Sequence, residues 1–405
     1  MKIIVQKYGG TSVSSPEKRE SVVKQIAEAR KNGYKVAVVV SAMGRKGEPY
    51  ATDTLRSLLL DEYKDVSLRE LDMIMSCGEI ISAGVMSATL GKNGITAPVL
   101  TGAQAGFLTD GNYSQAEVTD CRPTAVLEAF SRDETPVIAG FQGVDQVGEV
   151  NTLGRGGSDT TAVILGAALG AELVEIYTDV SGIMTADPVI LKEAKVIEHI
   201  TYGEVFQLAY EGAKVIHPRA VEVAMRYNVA VVVRNYSDLT AGGTLITGES
   251  ALHGGAYSTQ GRRTVTGIAH ALSLTQFLTE FEGPDPVSEQ EIFERIGKAN
   301  VNIDMINVFP QIKAFVVAEE HSAKVQSILE ALGLNYKMDK DVAKISIVGT
   351  GMNSIPGVMA RIVRALNEQS IEILQSSDSN ISISLLVKID DLHRAVTILH
   401  DNFLT

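Results

Sequence analysis

The last third of the chain is written twice. Phe277 and Ile347, Pro286 and Pro356, Ile292 and Ile362, Ile296 and Leu366, Ile303 and Ile373, Val317 and Val387, and Leu329 and Leu399 each stand 70 positions apart. A constant offset over so many apolar positions means one module that buries the same face in both copies. Each copy reads strand, helix, strand, strand, helix, the order of a ferredoxin-like α+β sandwich. Two copies predict a pseudo-symmetric pair with a shared interface. The fold alone leaves open whether that pair binds a ligand or only packs.

Upstream, strands alternate with helices. "MKIIVQKYGG" reads as a strand running into a glycine turn, and Ser14, Pro16 and Glu17 mark a helix start of the capping-box type. Val22, Ile26 and Ala29 recur at helical spacing until Gly33 stops the helix. "YKVAVVVSAMG" is a continuous β-branched run, as in a strand covered on both faces, and "TAPVLTG", "TPVIAGFQG", "AELVEIYTD" and "VAVVVRN" repeat the theme. The pattern predicts an α/β fold: a mainly parallel sheet sandwiched by helices, with ligands at the carboxyl ends of its strands. "TGESALHGGAYSTQGRR" is rich in Gly, Ser and Thr and has no hydrophobic period, so it reads as a connection. The expected organisation is an α/β domain over 1–246, a linker over 247–263 and modules over 264–343 and 344–405. The last strand or helix is expected to pack back on the first module.

A net charge of −13 argues against a nucleic-acid surface or an anionic membrane as partner. Positive charge for a phosphate ligand must then be placed locally. Cys77 and Cys121 form no CxxC pair, which suggests a reducing compartment and no zinc cage. The amino terminus lacks a signal-type apolar core, and no run approaches the ~18 apolar residues of a membrane span. A cytoplasmic location is expected.

Three glycine-bearing segments follow or interrupt the strands: "KYGGTSV" (Lys7–Val13), "SAMGRKGEP" (Ser41–Pro49) and "GRGGSDT" (Gly154–Thr160). Such turns let backbone amides approach a phosphate, though many glycine turns only turn the chain. Lys7 adds a point charge to the first. The Walker pattern is absent, and "GTGMNS" (Gly349–Ser354) only imitates a dinucleotide fingerprint, with Ser354 at the third glycine. Arg155 among glycines could grip a carboxylate or phosphate bidentately, or form a surface ion pair. Glu79, beside Gly78 in an apolar stretch, either pairs with a cation or starts a helix. Arg155 and Glu79 across a small gap would suit the carboxylate and ammonium of a free amino acid.

"KYGGTSV", "SAMG", "CGE", "GRGGSDT", "YTDVSGIMTADP" and "YEGAKVIHPRAVE", in this order, resemble aspartate kinase of the amino acid kinase superfamily. The tail resembles that family's paired ACT regulatory domains, with "KISIVGTGMNSIPGVMARI" as the clearest copy. The "GRKGEPYATD" segment looks most like the diaminopimelate-sensitive type of bacilli. The resemblance implies transfer from ATP, with Mg²⁺ carried on its phosphates, to L-aspartate, giving 4-phospho-L-aspartate. It implies an ATP site of Lys7, Tyr8, Gly9, Gly10, Ser41, Thr178, Asp179, Met184, Thr185, Ala186, Asp187, Pro188 and Lys214. It implies an aspartate site of Thr52, Glu79, Arg155, Gly156, Gly157 and Ser158. Three positions depart from the family pattern: Tyr8 replaces a usual phenylalanine, Ser181 a usual acidic residue, and Val189 an arginine that commonly follows "ADP" and contacts phosphate.

The acceptor carboxylate is already ionised at neutral pH, so no general base is required. The obstacle is the approach of two anions, and the remedy is alignment and charge neutralisation. Lys7 is expected to be catalytic. Asp159 is expected to orient Lys7 or a metal-bound water, with a helix N-cap as the alternative or additional role. In the modules, an end-product amino acid is expected to bind near Asp285, Asn302, Ile303, Asn307, Asn353, Ser354, Ser379 and Asn380. Paired modules further suggest a homodimer. The rivals are a kinase of glutamate or acetylglutamate and a non-catalytic amino-acid sensor. "CGE" with "GRGGSDT" and the tail favour aspartate over the first, and retention of Lys7, Glu79, Arg155 and Asp159 argues against the second.

Overall fold

The computed structural model describes residues 1–213, 215–238, 242–248, 265–280, 286–352 and 356–404. The chain divides into two compact units: Met1–Ile183 with Val196–Phe206 and Lys214–Ser258, and Met184–Lys195 with Gln207–Ala213 and Thr259–Thr405.

The first unit is built on an eight-stranded sheet. Its central strands are β1 (Lys2–Tyr8), β2 (Tyr34–Val40), β9 (Leu173–Thr178) and β11 (Val231–Asn235). On one side the sheet continues through β12 (Thr244–Thr247) to β10 (His199–Thr201), and on the other through β6 (Val137–Ala139) to β3 (Val99–Leu100). Every pairing is parallel except β11 with β12. Each of the five β-branched or apolar runs, together with the amino-terminal one, supplies a strand of this sheet. A second, four-stranded sheet of short strands had no such signal: β5 (Val118–Cys121), β4 (Phe107–Thr109), β7 (Gln142–Val144) and β8 (Val150–Thr152), in that order.

The helices of this unit include α1 (Pro16–Lys31), α2 (Thr52–Glu62), α3 (Leu68–Lys92), α4 (Thr124–Ser131), α5 (Gly157–Leu169) and α7 (Pro218–Tyr227), while α6 spans Tyr202–Tyr210. α1 starts one residue later than the capping box suggested. Ser15, not Ser14, accepts the Lys18 N–H, and Ser14 Oγ donates to the Thr11 carbonyl. Gly33 ends the helix region at φ +85°. α3 packs against α1, α2, β2, β6 and β8, and buries Val38, Val40, Ala83, Met86, Leu90 and Val137 in one apolar cluster with Ile26 of α1.

The second unit carries a six-stranded antiparallel sheet in the order β14 (Asp304–Val308), β15 (Ile312–Ala318), β13 (Gly267–Glu280), β16 (Asn335–Val348), β18 (Ser382–Lys388), β17 (Gln375–Asp378). Its helices are α8 (Pro286–Lys298), α9 (Ser322–Ala331), α10 (Val358–Glu368) and α11 (Leu392–Phe403). The 70-residue repeat sorts into two equivalent cores. Phe277, Ile292, Ile296, Val317 and Leu329 form one, and Ile347, Ile362, Leu366, Val387 and Leu399 the other. The long strands β13 and β16 are shared between the copies. Bulges between Ala271 and Gln276 divide β13: Leu274–Glu280 pairs with β15, whereas Gly267–Ala271 pairs with Lys344–Val348 and closes the core of the second copy.

Candidate active site

The carboxyl ends of β1, β2 and β9 lie side by side, with Lys7 opposite Val39 and Ile176. Alternation along β1 puts Gln6 and Tyr8 on one face and Lys7 on the other. Tyr8 stacks on Tyr177 with ring centroids 4.7 Å apart, and its hydroxyl donates to Gln6 Oε1. Gln6 and Tyr177 in turn donate to Glu175, at 2.8 and 2.9 Å. Burial pushes both phenols up, so they stay neutral donors. The Tyr8 side chain is therefore core, and it can offer a nucleotide only its backbone.

Beyond Tyr8 the chain turns through Gly9 and Gly10, with the Ser12 N–H on the Gly9 carbonyl at 2.9 Å. Gly10 is obligatory: a Cβ there would lie 2.2 Å from the Ala42 carbonyl oxygen. The Ser41 N–H binds the Tyr8 carbonyl and the Gly44 N–H binds the Gly10 carbonyl, each at 3.1 Å, so the first two glycine segments form one tied surface.

The third segment opens α5. Gly156 caps the helix in the left-handed region at φ +72°, and a Cβ there would fall 2.2 Å from Cβ of His217. Asp159 lies inside the first helical turn, not at the cap, where the helix dipole favours its charge. Its carboxylate meets the Lys7 ammonium at 2.6 Å, with the two side chains 12% and 13% exposed. Gly157 and Ser158 are buried, and Arg155 is exposed. Burial lowers the His217 pKa, opposed by the Asp159 charge and helped by those of Arg219 and Arg155. His217 thus borders this loop, although sequence reasoning quoted its motif without giving it a role.

Glu79 lies within α3, which overturns the helix-start alternative. It is 2% exposed, and its Oε1 accepts the Ala42 N–H at 3.0 Å. Its Oε2 is buried and has no hydrogen-bond donor among the described residues. Burial pushes its pKa up to about 8, against the pull of the Ala42 amide and the Lys7 charge. An unsatisfied buried acceptor of this kind suits a ligand that brings its own N–H donors. Thr52 is half-buried at the first position of α2, and Asp179, beside Thr178, pairs with Arg45 at 3.1 Å.

The remaining expected residues are dispersed. Met184 to Pro188 belong to the second unit. There the Thr185 hydroxyl contacts His400 Nε2 at 2.9 Å and accepts the Lys195 N–H, and Ala186 packs into the core of the second repeat. Both side chains are enclosed, so only their backbone is left to border a ligand. Asp187 accepts the Val189 N–H, and Pro188 is exposed. Asn302 is exposed, Ile303 packs on the core of the first repeat, and Asn307 Oδ1 accepts from Gln375 at 2.7 Å. Ser379 Oγ lies 2.9 Å from Ser382 Oγ, and the Asn380 carbonyl accepts the Met352 N–H. A cavity of about 360 Å³ lined by Met352, Gly357, Val358, Ser377, Asp378 and Ile383 opens at the start of α10. Lys214, Asp285, Asn353 and Ser354 lie outside the described residues.

Comparison with known proteins agrees with this architecture. The amino acid kinase family matches residues 2–235 and an ACT domain matches residues 337–401. Aspartokinase 1 of Bacillus subtilis (strain 168) is 44% identical over 404 residues, covering 100% of this chain and 99% of that protein. The fold is similar to Clostridium acetobutylicum aspartate kinase, with TM-score 0.80 at 23% identity over 99% of this chain and 100% of the other. It is also similar to E. coli aspartokinase III in complex with aspartate and ADP, with TM-score 0.74 at 23% identity over 100% of each chain. At 44% identity across essentially its whole length, the chain belongs to the aspartokinase family.

Proposed function

We propose that Lys7, Asp159 and the glycine loops align ATP with L-aspartate for transfer of the γ-phosphoryl group to the side-chain carboxylate. The observation that carries this reading is the Lys7–Asp159 pair at 2.6 Å, set where the Gly9–Gly10 turn and the amino terminus of α5 begin. Lys7 and the glycine amides draw charge from the phosphates, and Asp159 holds the lysine in place. Mg²⁺ enters as part of the nucleotide substrate and adds to that neutralisation. An aspartate carboxylate oxygen forms the new bond to phosphorus as the bond from phosphorus to the β–γ bridging oxygen breaks. ADP leaves, and no proton is transferred. Arg155 takes the α-carboxylate, Glu79 takes the ammonium through its unsatisfied oxygen, and Thr52 and Ser158 complete the aspartate site.

The two-module tail is the regulatory part, responding to an end product of the pathway that 4-phospho-L-aspartate feeds: lysine, threonine or diaminopimelate. The cavity at the start of α10 supports an amino-acid effector there. β14, an edge strand, exposes Ile306 and Val308, followed by Phe309 and Ile312, which supports a homodimer joined along that edge. A cytoplasmic location agrees with two free, half-buried cysteines.

ADP release measured with aspartate, glutamate and acetylglutamate side by side tests the reaction. Turnover should be confined to aspartate, and equal turnover of glutamate would overturn the assignment. Titration of the aspartate reaction with lysine, threonine and diaminopimelate tests the tail. Inhibition by one of them is expected, and indifference to all three would overturn the regulatory reading.

A further inference from the structure

Asp72 is fully buried on α3, seven residues before Glu79. Seven residues are two helical turns, so the two carboxylates share a face about 10 Å apart along the axis. Asp72 Oδ2 accepts the backbone N–H groups of Ser114 and Thr152 at 2.7 and 2.8 Å. Its Oδ1 accepts the hydroxyls of the same two residues at 2.9 and 2.8 Å. Four donors fill the capacity of a carboxylate. No cation pairs with Asp72 among the described residues, so dipoles alone meet its charge.

Those donors are well placed. Thr152 is the last residue of β8, two positions before Gly154 begins the Arg155 turn. The Thr152 carbonyl accepts the Ala116 N–H, and Arg219 donates to the Leu153 and Ala116 carbonyls at 2.8 Å each. The backbone entering the Arg155 loop is therefore gripped by the helix that carries Glu79. One rigid helix sets both ends of the proposed amino-acid site.

We propose that Asp72 is a positioning residue that fixes the span between Glu79 and the Arg155 loop, and with it the length of amino acid the site accepts. This rests on the reading of Glu79 and Arg155 as the ammonium and carboxylate partners. Burying an unpaired carboxylate is costly unless its hydrogen bonds are complete, so loss of this grip should loosen the loop.

The test is steady-state kinetics of Asp72→Ala and Asp72→Asn in the full chain. In the asparagine variant the amide oxygen can take the two N–H groups while its NH₂ donates to the two hydroxyl oxygens. The network then survives without the charge. Asp72→Ala should raise the aspartate KM at least tenfold, leave the ATP KM within twofold, and lower the preference for aspartate over glutamate. Asp72→Asn should restore the aspartate KM to within threefold of the unmodified enzyme. Thr152→Val, which removes one hydroxyl donor, should move the aspartate KM the same way by about threefold and covers the case in which Asp72→Ala does not fold. Unchanged aspartate KM in Asp72→Ala or Thr152→Val, or equal rises for both substrates, would overturn the role of Asp72. Arg155→Ala is the separate control: an equal effect on both substrates there would sink the aspartate-site reading itself.

Discussion

Glu79 accepts the Ala42 N–H through one carboxylate oxygen and keeps the other buried without a donor among the described residues. The candidate site therefore holds a carboxyl whose charged form a ligand's cationic group would stabilise. Burial pushes its pKa up to about 8, against the pull of the Ala42 amide and the Lys7 charge.

Aspartate binding should depend on pH through this group. Below about pH 8 the ammonium of the substrate must displace a proton from Glu79. Hence kcat/KM for aspartate should rise with pH, reach half its plateau near pH 8 and level off about one unit above. Glu79→Gln should abolish that limb and lower kcat/KM at every pH. A pH–rate profile of the two proteins checks this, and an unchanged limb in the variant would remove Glu79 from the ammonium site.

The same shift has a stability sign. The folded pKa lies above the ordinary value of 4.5, so the folded state binds the extra proton and loses stability as pH rises from about 4.5 to about 8. Glu79→Gln mimics the protonated form. Its Tm should match the unmodified protein near pH 4 and exceed it by at least about 2 °C at pH 8. Thermal unfolding at the two pH values measures this directly.

Gly10→Ala should damage the nucleotide site while sparing the fold of the second unit. The added Cβ meets the Ala42 carbonyl at 2.2 Å, a backbone atom that cannot rotate away. A fall of at least tenfold in kcat/KM for ATP is expected. Retention of full ATP affinity would show that the turn is not a phosphate surface.

In the second unit, Lys344 and Glu211 form an ion pair at 2.8 Å with both side chains about 5% exposed, and Ser346 Oγ donates to Glu211 at 2.7 Å. Lys344 also pairs with Asp304, so removing the lysine leaves the buried Glu211 carboxylate without a cation and takes a partner from Asp304 as well. Lys344→Met should cost about 3–5 kcal/mol, and the double variant with Glu211→Gln should recover part of it. Urea unfolding of the single and double variants gives the coupling, and strict additivity would show that the pair does not interact.

The sequence revealed what repeats or is long. Strands buried on both faces carry continuous β-branched runs, and the repeat marked both tail cores pair by pair. The strands of the second sheet of the first unit are three or four residues long, too short for a period. The Ser15 cap was missed because Ser14 is the same residue type one position earlier. Glu79 was readable as a candidate but not as the interior of a helix, since Gly78 beside it mimics a turn. Lys7 and Asp159, named from glycine-loop chemistry and family likeness, do meet. Thr185 and Ala186 could not be placed, because the burial of Thr185 depends on His400, 215 positions on, and that of Ala186 on the second repeat, more than 150 positions on. Asp72 was illegible for a related reason: its partners are backbone amides and hydroxyls 42 and 80 positions on.

In the proposed mechanism, fixed cations, led by Lys7, let two anions meet in line. Steady-state turnover of Lys7→Ala with saturating ATP and aspartate is its most direct test. A fall of at least a hundredfold in kcat is expected, with the fold intact. A fall of less than tenfold, equivalent to about 1.4 kcal/mol in the barrier, would contradict it.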